Sequence, residues 1–500
     1  RGVGYIVADG TPMAQKLVNK INYASSMQSH LTGVNNLYND LHKIIVGKNS
    51  LQRACETARV SKYTEPFLFF TQAEDSDTPV YRGPCTFGAG KMDKPTWGYV
   101  KKLHPNFAMI EGSDNNYDLT DMRVPFTWND PNCPENITYS ADDEGFFYNG
   151  KQCLDYDGGA TEDDGTPKAN IISIVQNAWN FLYLHSPMVQ YYKGTFEAFQ
   201  KSDEAKKVFN KYWCTDGAEA YKLKRYDYVN KKWVDAGLWD SATHSWGVID
   251  LRTHEFTKTT YEASVNQSEY AALNVEFRTA IVDHCKKYIG FYFREDSLKL
   301  YYAFIIHLLA GTDSCSKNTY FVIDPTPVDV TIDGVTKKCC LIEMHTDDVD
   351  TMLPIDNNGR STKPYYIDRM HPYVDGDTST EKYEGMHNVL FNLCEEMYEY
   401  RKDSDGKTEL QKMLRRIFTA MESLVSANDY IVGFPSNGAK VSVMGCLWKY
   451  IYSVQKYIPI VAYNEAARIR YEYPEMLGFV SYGSGARGVR PITQSNGSLL

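Results

Sequence analysis

The feature that most constrains the fold is the run from Ser297 to Gly359, where several local patterns follow one another without a gap. Leu298 to Leu309 is strongly apolar and predicts a buried helix that ends at Gly311. The loop Thr312-Asp-Ser-Cys-Ser-Lys-Asn318 follows. Two short aromatic and β-branched runs, Thr319-Tyr-Phe-Val-Ile323 and Cys340-Leu-Ile-Glu-Met344, predict strands, and Asp333-Gly334 lies in the segment joining them. The second strand runs straight into His345-Thr-Asp-Asp-Val-Asp350. Helix, polar loop, strand pair and acidic turn therefore follow one another in that order along the chain.

The rest of the chain sorts by texture. From Thr11 to about Arg59, Leu17, Ile21, Met27, Leu31, Leu37, Leu41 and Ile45 recur at near-helical spacing and predict one or two helices. From Phe67 to about Gly150, short β-prone runs such as Phe67-Leu-Phe-Phe70 and Phe107-Ala-Met-Ile110 are broken by Gly, Pro, Asn and Asp. Residues 155 to 167 hold five carboxylates, three glycines and no base, and predict an exposed loop. They lack the alternating ligands and closing Glu of a calcium-binding EF-hand. Helices are expected at 171 to 184 and 195 to 212, a hairpin at 221 to 234, and helices again at 269 to 309, 384 to 401, 409 to 427 and 442 to 458. The expected class is α+β: a helical segment (1–60), a β-rich lobe (61–155), an acidic loop (156–168), a helix-rich, kinase-like lobe (169–480) and a Gly-rich exit (481–500).

With 500 residues, 43% of them hydrophobic, the chain can bury a large core without covalent staples. The net charge of −10 argues against a protein that coats nucleic acid through clustered Lys and Arg. Eleven cysteines, an odd number with no C-x-x-C, suggest reduced thiols. The most apolar run, Tyr301 to Gly311, is about half of what a membrane span needs. The chain opens Arg1-Gly-Val-Gly with no initiator Met and no leader, and reads as a piece of a longer polypeptide.

The order of elements from Ser297 onward is that of the catalytic half of protein kinases. There an Asp accepts the hydroxyl proton, an Asn five residues on holds a metal, and an Asp after the strand pair holds metals on the nucleotide phosphates. Phosphoryl transfer is mostly positioning and charge neutralisation, and Mg²⁺ prefers carboxylate and amide oxygens. On this pattern Asp313 is the candidate base, and Asn318, Asp348 and Asp350 are the candidate metal ligands. Lys91, in Phe87-Gly-Ala-Gly-Lys91, is the candidate phosphate-facing cation. The layout resembles the spore-coat CotH-type atypical kinases, which implies Mg and ATP if the site is active. It departs from kinases in three places: Gly311-Thr312 replaces His-Arg, Asp348-Val-Asp350 replaces Asp-Phe-Gly, and Asp347 precedes the turn. The plain alternative is that these Asp and Asn residues cap helices and make turns.

Other motifs fall short. Gly483-Ser-Gly-Ala-Arg-Gly488 has the letters of a dinucleotide fingerprint, but no helix follows it. Gly83 to Lys91 lacks the spacing and the Ser or Thr of a Walker A loop. No His pair has zinc-site spacing, no nucleophile elbow is present, and His307 reads as a satisfied core residue. Tyrosine is plentiful, 38 against 22 Phe and 8 Trp, which suits protein contacts as well as cores.

Several long blocks resemble the muzzle protein of crAss-like gut bacteriophages, which closes the end of a short tail. They are Trp179-Asn-Phe-Leu-Tyr-Leu-His-Ser-Pro-Met-Val-Gln-Tyr-Tyr-Lys-Gly194, Ala310 to Phe321, Asp348-Val-Asp-Thr-Met352 with Lys363-Pro-Tyr-Tyr-Ile367, Tyr463 to Pro474, and Gly478 to Ser498. The resemblance covers the chain from about residue 175 onward. It implies a structural virion protein that is assembled in the bacterial cytoplasm, contacts copies of itself and other phage tail proteins, and needs no cofactor. The alternative is an active Mg-dependent phosphotransferase. Binding of host glycan through exposed aromatics is a third expectation.

Overall fold

The computed structural model describes residues 17–20, 30–62, 64–89, 104–113, 117–186, 189–192, short strands between 222 and 258, and 275–309. It also describes 311, 314, 318–346, 348–349, 388–399 and 401–426. The strands are β1 Leu17–Lys20, β2 Thr64–Thr71, β3 Val80–Ala89, β4 Ala108–Gly112, β5 Thr127–Trp128, β6 Asn136–Ser140, β7 Gly145–Tyr148, β8 Lys151–Gly158, β9 Val189–Tyr192, β10 Lys222–Asp227, β11 Lys232–Asp235, β12 Leu238–Asp240, β13 Ser245–Ile249, β14 Phe256–Lys258, β15 Thr319–Ile323, β16 Val328–Ile332, β17 Val335–Cys339 and β18 Ile342–Thr346. The helices are α1 His30–Ile45, α2 Tyr117–Thr120, α3 Ala169–His185, α4 Val275–Tyr288, α5 Glu295–Tyr301, α6 Val389–Tyr398 and α7 Glu409–Ser426. Helix α5 continues as a wider π-type turn over Tyr302–Leu308, in which the Leu309 N–H donates to the Phe304 carbonyl at 3.0 Å.

Helices and a mixed sheet make this an α+β protein. The principal sheet has seven strands in the order β18-β15-β4-β8-β7-β6-β5, all antiparallel except the short β5–β6 pair. Strand β15 lies between β18 and β4, so strands from before the acidic segment and from after it share one sheet. Side chains on a strand alternate between faces. Ala108, Ile110, Leu154, Tyr156, Phe321, Ile323, Ile342 and Met344 therefore enter the large core with the helices, while Met109, Tyr320 and Val322 join a small core with Leu51, Ala58 and Phe107. Helix α1 buries Val34, Leu37, Tyr38, Leu41 and Ile45, the i, i+3, i+4, i+7 pattern expected of its sequence.

Trp179 shows how the helices are fixed to the sheet. It is fully buried on α3, its Nε1–H donates to the Leu119 carbonyl at 3.0 Å, and its ring meets Phe321 of β15 edge to face at 5.0 Å. Tyr38, Tyr183, Tyr301, Tyr302 and Tyr320 are also among the largest fully buried side chains, so part of the tyrosine excess is core.

The predicted helices at 171–184 and 409–427 match α3 and α7, the 384–401 helix is shorter (α6), and α4, α5 and the π-type turn fall between 275 and 308 within the helical stretch expected at 269–309. The expected hairpin at 221–234 forms from β10 and β11, and β9 adds a third strand. Two expectations need correction. Leu17 lies in β1, paired with Ala89 of β3, because a partner strand distant in sequence overrides the local helical spacing. Asp155 and Asp157 belong to β8, paired with Glu111 and Met109 of β4. Tyr156 points into the core, and the two half-buried carboxylates take the opposite face, so the exposed acidic turn begins later. The segment joining β15 to β18 forms its own hairpin, β16–β17. Its Asp333 and Gly334 have φ of 51° and 77°, as a two-residue turn with positive φ at both central positions requires. The helices expected at 195–212 and 442–458 and the Gly483–Gly488 motif lie outside the described residues.

Truncating Trp179 removes a large ring and takes the indole N–H from the Leu119 carbonyl, which keeps the Met122 N–H at 3.0 Å. Trp179→Ala should therefore cost about 3–5 kcal/mol of unfolding free energy in chemical denaturation.

Candidate functional site

Two glutamates in buried strand positions, Glu111 and Glu343, break the apolar pattern of the sheet. Glu343 is the better defined centre. It has no exposed surface, and alternation along β18 carries it, with His345, away from the large core that holds Ile342 and Met344.

Local pairing delivers the residue that neutralises it. Residues 292–294 run beside β18: the Ile342 N–H donates to the Tyr292 carbonyl and the Arg294 N–H to the Ile342 carbonyl, both at 2.9 Å. This aims the Arg294 guanidinium at Glu343. Its Nη1 donates to Glu343 Oε1 at 2.6 Å and to the Lys48 carbonyl at 2.6 Å, and its Nη2 donates to the Val46 carbonyl at 3.0 Å. The Ser50 N–H donates to Oε2 at 2.7 Å, His42 Nε2 of α1 lies 3.2 Å from Oε1, and His345 Nε2 lies 3.5 Å from Oε2. Both histidines are buried. At the far end of β18, the Thr346 N–H donates to the Val60 carbonyl at 3.0 Å. One carboxylate thus gathers the end of α1, the following loop, the approach to α5 and the strand itself.

The electrostatics follow from burial and partners. Burial alone would push the Glu343 carboxyl up, but the neighbouring imidazoles of His345 and His42 hold it well below the usual carboxylate range. Burial pulls the His345 imidazole down, against the opposing pull of Glu343, so it is neutral at about pH 7. A carboxylate and two imidazoles are donor types that a transition metal accepts. Here a guanidinium already supplies the positive charge on the carboxylate, and among the described residues no group of His, Cys, Asp and Glu is placed to hold a metal ion.

The π-type turn carries a second polar centre. The Tyr302 hydroxyl donates to Glu399 Oε1 at 2.5 Å, and His307 Nδ1 lies 3.0 Å from the same oxygen. His307 is buried and held by a carboxylate, as a core histidine must be.

Of the residues the sequence singled out, Asn318 and Asp348 are described and the other three are not. Asn318 is buried with φ of 58° and immediately precedes β15, while Asp348 is half-buried and follows β18. Because Thr319 pairs with Thr346, the two strands bring Asn318 and Asp348 to the same end of the sheet. Lys91, Asp313 and Asp350 lie outside the described residues. Sequence reasoning passed over Glu343, Arg294 and His42. A charged residue between Ile342 and Met344 was a usable signal for Glu343, but nothing local marks the other two.

No protein family, no curated protein and no solved structure matches this chain.

Two outcomes test this centre. Replacing Arg294 by Met leaves the buried Glu343 charge without its guanidinium, and should cost about 3–5 kcal/mol in urea unfolding. The pH dependence follows from the directions above. His345 resists protonation when folded and accepts it when unfolded, so stability should fall as pH drops below about 6.5, by at most about 1.4 kcal/mol per pH unit. Glu343, held below its unfolded value, adds a second loss as pH falls below about 4.3. Thermal unfolding of His345→Gln should be flatter in the upper window and keep the lower one.

Proposed function

We propose that this chain is a structural subunit of a bacteriophage tail. It is of the muzzle kind its sequence resembles, assembles in the host cytoplasm with copies of itself and other tail proteins, and is built on a kinase-like order of elements without turnover. The observation that carries this reading is the occupancy of the Glu343 centre. Its two oxygens are engaged by Arg294, Ser50 and two imidazoles, and both Glu343 and His345 have no exposed surface. A carboxylate so enclosed joins distant parts of the chain and offers nothing to a substrate, which suits a part that bears load in an assembly. The burial of large tyrosines is consistent with a rigid scaffold.

A second reading, a phosphotransferase using Mg and ATP, draws on one observation. Asn318 and Asp348 sit at the same end of β15 and β18, where the kinase pattern needs its metal ligands.

Light scattering on the purified chain separates the two, together with calorimetric titration of ATP and Mg²⁺. Particles holding several chains and no heat at about millimolar ATP are expected. Micromolar, Mg-dependent binding that weakens about tenfold in Asp348→Asn would make the phosphotransferase reading the correct one.

A further inference from the structure

A cavity of about 1180 Å³ opens between the end of α1, the π-type turn and α7 with the turn before it. Its floor is apolar, with Ile45, Leu410 and Leu414 all buried, and the exposed cations Lys402, Lys407 and Arg415 stand on its rim. Two further cations of the lining are already engaged. Lys412 Nζ lies 2.7 Å from Asp403 and 2.9 Å from Glu409, and Arg416 Nη1 lies 3.2 Å from Asp296 while its Nη2 donates to the Ile45 carbonyl. Among the described residues Lys402, Lys407 and Arg415 enter no ion pair. Among the described residues the cavity therefore carries three cations outside any ion pair, beside the Glu399 carboxylate of its lining that Tyr302 and His307 hold, on a protein whose net charge is −10.

The chain presents a matching shape elsewhere. Glu162, Asp163 and Asp164 are exposed on a tight turn between Thr161 and Pro167, which pair as an isolated bridge. The Glu162 N–H donates to the Thr166 carbonyl at 2.8 Å, the Gly165 N–H donates to the Glu162 carbonyl at 3.0 Å, and Asp164 Oδ1 accepts from the Thr166 hydroxyl at 2.6 Å. The turn is thus fixed before it meets anything, which lowers the ordering cost of binding. Among the described residues no ion pair joins this turn to the cavity within one copy.

We propose that copies of the chain join head to tail, the acidic turn of Glu162, Asp163 and Asp164 in one copy seated on Lys402, Lys407 and Arg415 at the cavity of the next. Three carboxylates meet three cations over an apolar floor. The two surfaces differ, so the contact is heterologous, and its repetition makes a ring or an open filament. This contact rests on the proposal that the chain assembles with itself and names the surfaces that do it.

The test is sedimentation and light scattering of the wild type, of a cavity variant (K402E, K407E, R415E) and of a turn variant (E162K, D163K, D164K), with circular dichroism to verify folding. Each variant alone should assemble roughly a hundredfold more weakly, and mixing the two should restore assembly, because the intact turn of one meets the intact cavity of the other and the two reversed surfaces are again opposite in charge. The wild-type assembly should also loosen as salt is raised, which needs no variant. Wild-type particles that neither triple variant nor salt weakens would overturn this contact and leave the assembly reading standing. A wild type that stays monomeric at about 100 μM would overturn both.

Discussion

A carboxylate with no exposed surface can stay ionised only where opposite charge and hydrogen-bond donors replace the water it has lost. Glu343 meets that condition, and much of the arrangement around the sheet follows from it. Arg294 must arrive beside β18, so residues 292–294 run along the strand and occupy one end of its outer edge. The Val60 carbonyl binds the other end. A sheet edge that would otherwise be open to another chain is thereby covered. The same guanidinium takes the Val46 and Lys48 carbonyls and so fastens the chain just after α1. Removing Arg294 would leave the Glu343 charge buried without its guanidinium, whereas Arg294 keeps part of its side chain in water.

The second organising fact is the pairing of β15 with β4. It draws strands from before the acidic turn and from after α5 into one sheet, and helices pack on its apolar face. Trp179, reaching from α3 to both Leu119 and Phe321, joins these parts in one core. The same chain presents an acidic turn at Glu162, Asp163 and Asp164 and a cavity lined by Lys402, Lys407 and Arg415.

Elements with strong periodicity were legible in the sequence. The helices α1, α3 and α7, the strands β15 and β18, and the β10–β11 hairpin fall close to their expected places, because side-chain spacing reports the buried face directly. Leu17 and the pair Asp155 and Asp157 were misplaced because their state depends on a partner strand far away in sequence, which no local window contains. The site was less legible still. Asn318 and Asp348 could be picked out by their order relative to the strands, and their shared end of the sheet follows from that order. Glu343 lay in plain view within an apolar strand and was passed over, since a single charge in a strand resembles an exposed position.

Sequence alone determined the strongly periodic helices and strands, the absence of zinc-type and nucleophile-elbow motifs, and the acidic and apolar stretches from which surfaces and core are made. Only the tertiary structure decided that Glu343 meets Arg294, His42 and Ser50, and that Lys402, Lys407 and Arg415 gather around one cavity. The physical reason lies in range. Propensity and periodicity act over one or two turns of chain. The partners of a buried charge are chosen by packing between segments that the sequence separates by as much as 301 positions, as His42 and Glu343 are.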